Sequence, residues 1–207
     1  MARVLLSQAI YGFRPDREAA IEGSAEAARR ALLLDPQNAY AYYMLALTSA
    51  HAGDPETAAM HGRQAVELNP NLSSAYFATA VASSFAGRPA EALVAVDTAL
   101  RLSPHDPQRF AWLAQRASAL YLSRRYEEAI ETARESLAIR WFQTACRVLA
   151  ASQAQLGREE SARSAMAELL AAEGAERTIA EAVHRFLRKA DRDLYTEGLR
   201  KAGMPEA

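Results

Sequence analysis

The chain has 207 residues, a net charge of −1, and a composition that is 50% hydrophobic, 8% aromatic and 24% charged. A charge this close to zero creates no field that would attract nucleic acid or an anionic membrane, so we expect neither as a partner. The 9 glycines and 8 prolines are few, and alternating runs of valine, isoleucine and threonine are absent, which argues against a β-sheet.

The cysteine count and the hydropathy pattern favour a cytoplasmic protein. Cys146 is the only cysteine, which excludes an internal disulfide and favours a reducing compartment. The first residues, MARVLLSQAIYGF, lack the apolar core and the cleavage site of a signal peptide. No apolar run approaches the roughly 20 residues that a membrane-spanning helix needs.

The first long predicted helix covers residues 16–34 and ends at Asp35-Pro36, because proline disfavours helical angles in the residue before it. Residues 2–11 are too short for a full partner helix. We therefore expect a partial leading unit at 1–36, and this beginning is compatible with a chain cut from a longer protein.

From Pro36 onward the sequence repeats. Pro36, Pro70 and Pro104 are each 34 residues apart, and each marks the end of a predicted helix. A second motif recurs with nearly the same spacing: GDPETA at 53, GRPAEA at 87, RRYEEA at 124 and GREESA at 157. These two markers divide the chain into units of two antiparallel helices at 37–70, 71–107, 108–141 and 142–173.

Alanine occupies equivalent positions in every unit. Small side chains there allow helices to approach to the short end of the ~8–10 Å interaxial range. A two-helix unit cannot bury its own apolar face, so the units must stack. The alanines are Ala46, Ala80, Ala117 and Ala150 in the first helices, and Ala58, Ala92, Ala129 and Ala162 in the second helices.

The 34-residue period, the alanines, the turn YEEAI at Tyr126–Ile130 and the closing prolines resemble the tetratricopeptide repeat over residues 37 to about 172. The resemblance implies an all-α, right-handed solenoid of helix-turn-helix units. The third unit departs from the pattern by a three-residue insertion around Pro104–Pro107, and Trp141 stands where a fourth proline is expected. We therefore predict a local distortion at Arg140–Phe142.

After Glu173-Gly174 the repeat fades, and we predict a C-terminal cap at 174–207 with helices at 175–188 and 191–202. The closing LRKAGMPE resembles the end of bacterial proteins in which a class III adenylate or guanylate cyclase domain, or a winged-helix domain, precedes a tetratricopeptide array. That resemblance implies a regulatory role. It implies no catalysis by these residues, which contain no catalytic domain.

No motif predicts an enzyme, a cofactor or a metal site. HExxH, CxxC and a glycine-rich phosphate loop are all absent. We interpret His51, His61, His105 and His184 as solvated or capping residues, and Cys146 as a packing residue without a histidine partner.

The resemblance implies that the first helices line a concave groove that takes a peptide or helix from a partner. The family's lysine and asparagine clamp for a terminal carboxylate is missing, so we predict an apolar or amphipathic helical partner segment. Two alternatives stay open: these residues pack between units, or the chain's own helix 191–202 occupies the groove. The predicted groove residues are Tyr40, Tyr43, Leu47, Phe77, Val81, Phe85, Tyr121 and Arg147.

The leading functional prediction is a non-enzymatic protein–protein interaction scaffold, acting as a regulatory module of a bacterial signalling protein. One alternative is a fragment or subunit of a nucleotide cyclase whose catalysis lies in a separate domain. Another is a homo-oligomerisation module that forms a homodimer through its N-terminal unit.

Overall fold

The computed structural model describes residues 2–10 and 16–206, and within these ranges all regular secondary structure is α-helical. The prediction of an all-α fold is confirmed. The described helices, in chain order, are α1 (Ala2–Ile10), α2 (Arg17–Leu34), α3 (Ala39–His51), α4 (Pro55–Leu68), α5 (Ser73–Phe85), α6 (Pro89–Leu102), α7 (Arg109–Leu122), α8 (Tyr126–Ile139), α9 (Gln143–Gln155), α10 (Glu159–Ala171), α11 (Ile179–Val183) and α12 (Lys189–Ala202).

Consecutive helices pack as antiparallel pairs, since only short links join them. Each second helix also packs on the first helix of the next pair, as α4 does on α5 and α6 on α7. The first helices α3, α5, α7 and α9 contact one another in succession and form the inner, concave layer. The second helices α4, α6, α8 and α10 form the outer, convex layer, so the chain is a solenoid.

The alanines lie where helices meet. Ala46 and Ala80 on the inner layer, and Ala58, Ala92 and Ala129 on the outer layer, are fully buried. Burial of a methyl group at every such position lets neighbouring helices approach closely, and larger side chains such as Trp112 and Leu120 fill the remaining core.

The recurrent motif at the centre of each unit is a tight turn that needs a residue with positive φ. Glycine supplies it at Gly53 (φ 87°), Gly87 (φ 75°) and Gly157 (φ 72°), because glycine has no Cβ to clash. The third unit uses Arg124 instead, with φ 59°. The motif RRYEEA therefore adopts the same turn as its glycine counterparts, with backbone strain at one residue.

The predicted distortion at Arg140–Phe142 is confirmed. Elsewhere a turn separates the units, as at Asp35–Asn38 and Asn69–Leu72. Here Arg140 (φ −162°, ψ 140°) and Phe142 (φ −150°, ψ 122°) are extended, and the three-residue link joins α8 directly to α9. Without proline the chain has no residue that fixes a turn, and the extended link buries Phe142 against the ring of Phe110 at 5.4 Å.

The predicted helix over 175–188 is wrong, because only Ile179–Val183 is helical. In a longer helix the backbone N–H groups of this stretch would form hydrogen bonds within the helix. Here they donate to residues in other parts of the chain. The N–H of Glu176 donates to Oε1 of Gln143 at 3.0 Å, and the N–H of Leu187 donates to the carbonyl of Phe85 at 2.7 Å. Tertiary hydrogen bonds therefore replace helical ones along this stretch.

The second predicted C-terminal helix is present as α12, which begins two residues earlier than expected. It ends at Gly203, whose φ of 94° suits a left-handed C-cap, and the N–H of Met204 closes the cap on the carbonyl of Leu199 at 3.0 Å. We call residues 175–204 the cap segment.

The cap segment lies against the concave side of the solenoid, where α12 packs on α9 and α7. The hydroxyl of Tyr121 donates to the carbonyl of Leu194 at 2.9 Å, and Gly198 sits against Tyr121 and Ala151. A Cβ at Gly198 would collide with the Tyr121 hydroxyl. The close approach of α12 therefore depends on glycine at this position.

We expect Ala129→Leu to lower the free energy of unfolding by about 1–3 kcal/mol, because the larger side chain must displace packed neighbours. Ala138→Leu is the matched control, since Ala138 is exposed on the same helix and a surface change is worth within about 0.5 kcal/mol. Urea denaturation measures both, and equal effects would show that the alanine contacts are not tightly packed.

We expect Gly198→Ala to destabilise the chain by about 1–3 kcal/mol through overpacking, although glycine-to-alanine changes inside helices usually stabilise by about 0.5–1 kcal/mol. Tyr121→Phe removes the colliding hydroxyl, so the double variant should recover part of the loss in a thermal melt.

Gly23→Ala in α2 is the control for this change. Its Cβ would meet only the flexible Cδ1 of Leu5, at 3.3 Å. If Gly198→Ala proved as mild as Gly23→Ala, the proposed close approach of α12 to α7 would be contradicted.

Candidate functional site

The predicted groove residues lie along the concave face, as the repeat pattern predicts. Tyr40, Tyr43 and Leu47 are on α3, and Phe77, Val81 and Phe85 are on α5, with Tyr121 on α7 and Arg147 on α9. Six of them line one shared cavity: Tyr43, Leu47, Phe77, Val81, Phe85 and Arg147.

Most of these side chains are covered by the chain itself. Tyr43, Leu47, Val81, Tyr121 and Arg147 are each less than a tenth exposed, whereas Tyr40 is 40% exposed at the edge of the face. This geometry matches the alternative in which the chain's own C-terminal helix occupies part of the groove. Whether a partner binds these eight residues stays a prediction.

Aromatic contacts attach the cap segment to the concave face. Phe186 meets Phe85 edge-on, with ring centroids 5.3 Å apart, and Tyr195 meets Tyr121 edge-on at 5.1 Å. Phe186 and Tyr195 also contact each other at 5.4 Å. Edge-to-face pairs of this kind add to the burial of apolar area, so the cap segment is a firmly packed part of the core.

A cavity of about 100 Å³ remains between the cap segment and the inner helices. Its walls come from α1, α3, α5, α7, α9 and the cap segment, and they are mostly apolar, with Leu6, Met44 and Ala111 among them. Charged side chains gather on the side formed by α9 and the cap segment.

That charged side is a buried cluster of two arginines and one glutamate. Arg147 forms an ion pair with Glu176, and Nη2 of Arg185 donates to Oε1 of Glu176 at 2.7 Å. The Arg185 guanidinium also lies 5.9 Å from the ring centroid of Phe85. Each arginine side chain is less than a tenth exposed, so the cluster lies in a medium that solvates charge poorly.

Burial shifts the ionisation of this cluster. It lowers the pKa of the Arg185 guanidinium to about 10, and the nearby Tyr195 opposes the shift only in part. Burial likewise raises the pKa of Tyr195, with Arg147 opposing it. Sequence reasoning identified Arg147 and missed Glu176 and Arg185, because the cap segment carries no repeat pattern that would align them.

A surface channel lies on the convex side of the solenoid. Helices α4 and α6 do not pack on each other within the described chain, and both pack on α5, which leaves a channel between them. The channel has a volume of about 610 Å³, and its apolar lining includes Val66, Tyr76 and Val94. Val94 is 71% exposed. The channel was not predicted from the sequence. Val94 was an available signal, because it is an apolar residue outside the set of positions that α6 buries.

The side chains that could carry chemistry are dispersed. Among the described residues there is no group of three or more His, Cys, Asp or Glu that could hold a metal ion. Cys146 is 1% exposed, and burial raises the pKa of its thiol to about 12, so it is a core residue with little thiolate near neutral pH.

The histidines are not gathered into one site. His51 lies edge-on to Phe85 at 6.1 Å, and His61 lies 6.2 Å from Tyr42, where burial lowers its pKa. Nδ1 of His184 lies 2.7 Å from the carbonyl of Glu181. His51 and His61 are thus half-buried, whereas the sequence predicted solvated or capping residues, which describes the exposed His105 and His184.

No helix in the described part of the chain is long and apolar enough to cross a membrane.

Comparison with known proteins points to one family. A family model for the tetratricopeptide repeat matches residues 27–59, which run from within α2 through α3 into α4. A search of curated proteins finds no match. The resemblance of the closing residues to cyclase-linked and winged-helix proteins therefore stays a prediction.

Solved structures similar to this chain include tetratricopeptide proteins. TTC0263 from Thermus thermophilus aligns over 97% of this chain and 100% of its own, with a TM-score of 0.65 and 20% identity. PilW, a type IV pilus biogenesis factor, aligns over 97% and 86% with a TM-score of 0.65 and 18% identity. YrrB, which has an unusual peptide-binding site, aligns over 86% and 91% with a TM-score of 0.54 and 19% identity.

At these identities the solved structures establish a shared fold. Together with the repeat spacing and the buried alanines, they show a tetratricopeptide-type helical fold, and the family model matches one stretch of it, at residues 27–59.

Proposed function

We propose that this chain is a non-enzymatic protein-interaction scaffold that binds an amphipathic helix of a partner protein in the convex channel between α4 and α6. The observation that carries the proposal is the open apolar channel itself, with Val94 71% exposed in its wall. Exposed apolar surface rimmed by polar residues is typical of protein-binding sites.

The charges around the channel favour an amphipathic helix as the occupant. Val66, Tyr76 and Ala95 supply an apolar lining. The channel residues also include charges of both signs, at Arg63, Glu67 and Glu91. A helix with one apolar stripe would bury that stripe in the channel and keep its flanking charges near these residues. A segment that is apolar all round would place apolar surface against these charged side chains.

The concave face is the second location for such a helix, as the groove residues predict. Binding there would require the partner to replace contacts that the cap segment already makes, such as Phe186 on Phe85 and Tyr195 on Tyr121. Only Tyr40 of the predicted set is well exposed. The convex channel needs no such replacement, so we place the partner there.

A homodimer is a second candidate, supported by one observation. Leu33 and Leu34 at the end of α2 are 83% and 90% exposed, and they belong to the N-terminal unit that the sequence implicates in self-association. Light scattering of wild type beside Leu33→Glu/Leu34→Glu tests it, and a wild-type chain that stays monomeric at high concentration would overturn it.

A regulatory role in a bacterial signalling protein is proposed on the tail resemblance alone. The residues concerned form the end of α12 and its left-handed cap, with Met204 buried. The test is whether an identified partner belongs to a signalling system; a partner from an unrelated process would contradict the proposal.

We expect Val94→Glu to weaken capture of the partner at least about tenfold, since a charge in an apolar contact costs on the order of 1–3 kcal/mol. The melting temperature should stay unchanged, because Val94 is exposed. Affinity capture with quantitative mass spectrometry, followed by titration of the captured partner's helix, gives the measurement.

Two variants complete this test. Ala138→Glu places the same charge on another exposed outer position and should bind like wild type. Tyr43→Ala/Phe77→Ala should lower the melting temperature, because both residues pack in the core cluster of the first units, and should keep the partner. Loss of the partner by a folded Tyr43→Ala/Phe77→Ala variant, with Val94→Glu unaffected, would move the site to the concave groove.

A further inference from the structure

The charges that face the concave cavity do not balance. The described residues that line it include three arginines, Arg3, Arg147 and Arg185, and one carboxylate, Glu176. The other ionisable groups among the described lining residues are Tyr43, His51 and Tyr195, and none of them supplies a negative charge near neutral pH. Arg3 is exposed to solvent, but the two other arginines are buried, so an excess positive charge lies inside the protein.

An excess buried charge is costly unless something compensates it. The single negative charge of Glu176 can neutralise one guanidinium, yet Glu176 forms ion pairs with both Arg147 and Arg185. Asp191, another acid of the cap segment, pairs instead with Arg188 at 3.6 Å, and Oε2 of Glu181 accepts from the N–H groups of Arg177 and Thr178. Within the described part of the chain, Nε of Arg185 is buried and makes no hydrogen bond. The positive charge of Arg185 is therefore not fully neutralised, and its Nε–H donates to no acceptor in the described part of the chain.

The cavity next to Arg185 has the size of a small organic molecule. At about 100 Å³ it is somewhat smaller than the roughly 150 Å³ cavity known to hold benzene, so it fits about four to six non-hydrogen atoms. Most of its wall is apolar, including Leu47, Val81 and Phe142. Inorganic anions would leave that apolar wall without a partner.

We propose that the cavity between the cap segment and the inner helices binds a short-chain organic carboxylate. The carboxylate lies against the guanidinium of Arg185 and supplies the missing negative charge. The short alkyl chain lies against the apolar wall formed by α3, α5 and α7. This site is separate from the convex channel, so it stands independently of the proposed partner helix.

Binding would also fix the cap segment. Arg185 and Glu176 belong to the cap segment, whereas Arg147 belongs to α9, and a carboxylate among them adds an interaction that joins the two. The N–H of Leu187, which donates to the carbonyl of Phe85, reports on this attachment through its rate of hydrogen exchange.

The test is isothermal titration of the full chain with sodium butyrate, which has as many non-hydrogen atoms as benzene, beside butyramide, its uncharged counterpart. We expect saturable binding of one butyrate per chain and binding of butyramide at least about tenfold weaker, because the amide cannot neutralise Arg185. Butyrate should also slow hydrogen exchange across residues 176–188.

Three variants sharpen the result. Arg185→Met should abolish the preference for butyrate, and it leaves Arg147 and Glu176 paired one to one. Glu176→Gln should tighten butyrate binding by about tenfold, since the competing carboxylate is neutralised. Arg163→Met, at an exposed arginine on α10, is the control and should bind like wild type.

Several outcomes would overturn the proposal: equal affinity for butyrate and butyramide, equal affinity for chloride and butyrate, or no binding to wild type at all. If circular dichroism shows that Arg185→Met does not fold, the comparison of butyrate with butyramide and the Glu176→Gln variant test the proposal instead. Unchanged or weaker butyrate binding by a folded Glu176→Gln variant would then reject the assignment.

Discussion

Close helix packing through buried alanines is the constraint on which the structure depends. A pair of helices exposes an apolar face that only a neighbouring pair can cover, and the alanines at the contacts, such as Ala80 and Ala92, let that neighbour approach. The pairs therefore stack in one direction, with first helices inside and second helices outside. The concave and convex surfaces, and every candidate site on them, follow from this stacking.

After α10 the described chain continues as the cap segment. This segment covers apolar surface of the inner helices that would otherwise be exposed. It does so from the concave side, with aromatic contacts from Phe186 and Tyr195 and a close helix contact at Gly198. Because the cap segment covers part of the concave face, we place the proposed partner helix in the convex channel. Arg185 and Glu176, which the cap segment brings against Arg147, give the enclosed cavity its charge.

The two candidate sites share one helix. Tyr76 and Thr79 on α5 line the convex channel, while Phe77 and Val81 on the same helix line the cavity. Tyr76 and Phe77 face different sides of the helix because successive side chains of an α-helix are rotated by about 100°. One helix therefore contributes both to the channel proposed for a partner helix and to the cavity proposed for a small carboxylate.

The sequence by itself determined the repeats, because proline, glycine and alanine act through local geometry and contacts between neighbouring pairs. Helix order, a distortion at Arg140–Phe142 and the alignment of Tyr43, Phe77 and Arg147 on one face could all be predicted from spacing. Only the tertiary structure decided the path of 175–188, the covering of that face and the charged cluster. Glu176 pairs with Arg147 across 29 positions of the chain, and Arg185 joins the cluster through Glu176. Such contacts depend on how the whole solenoid curves, which no local pattern encodes.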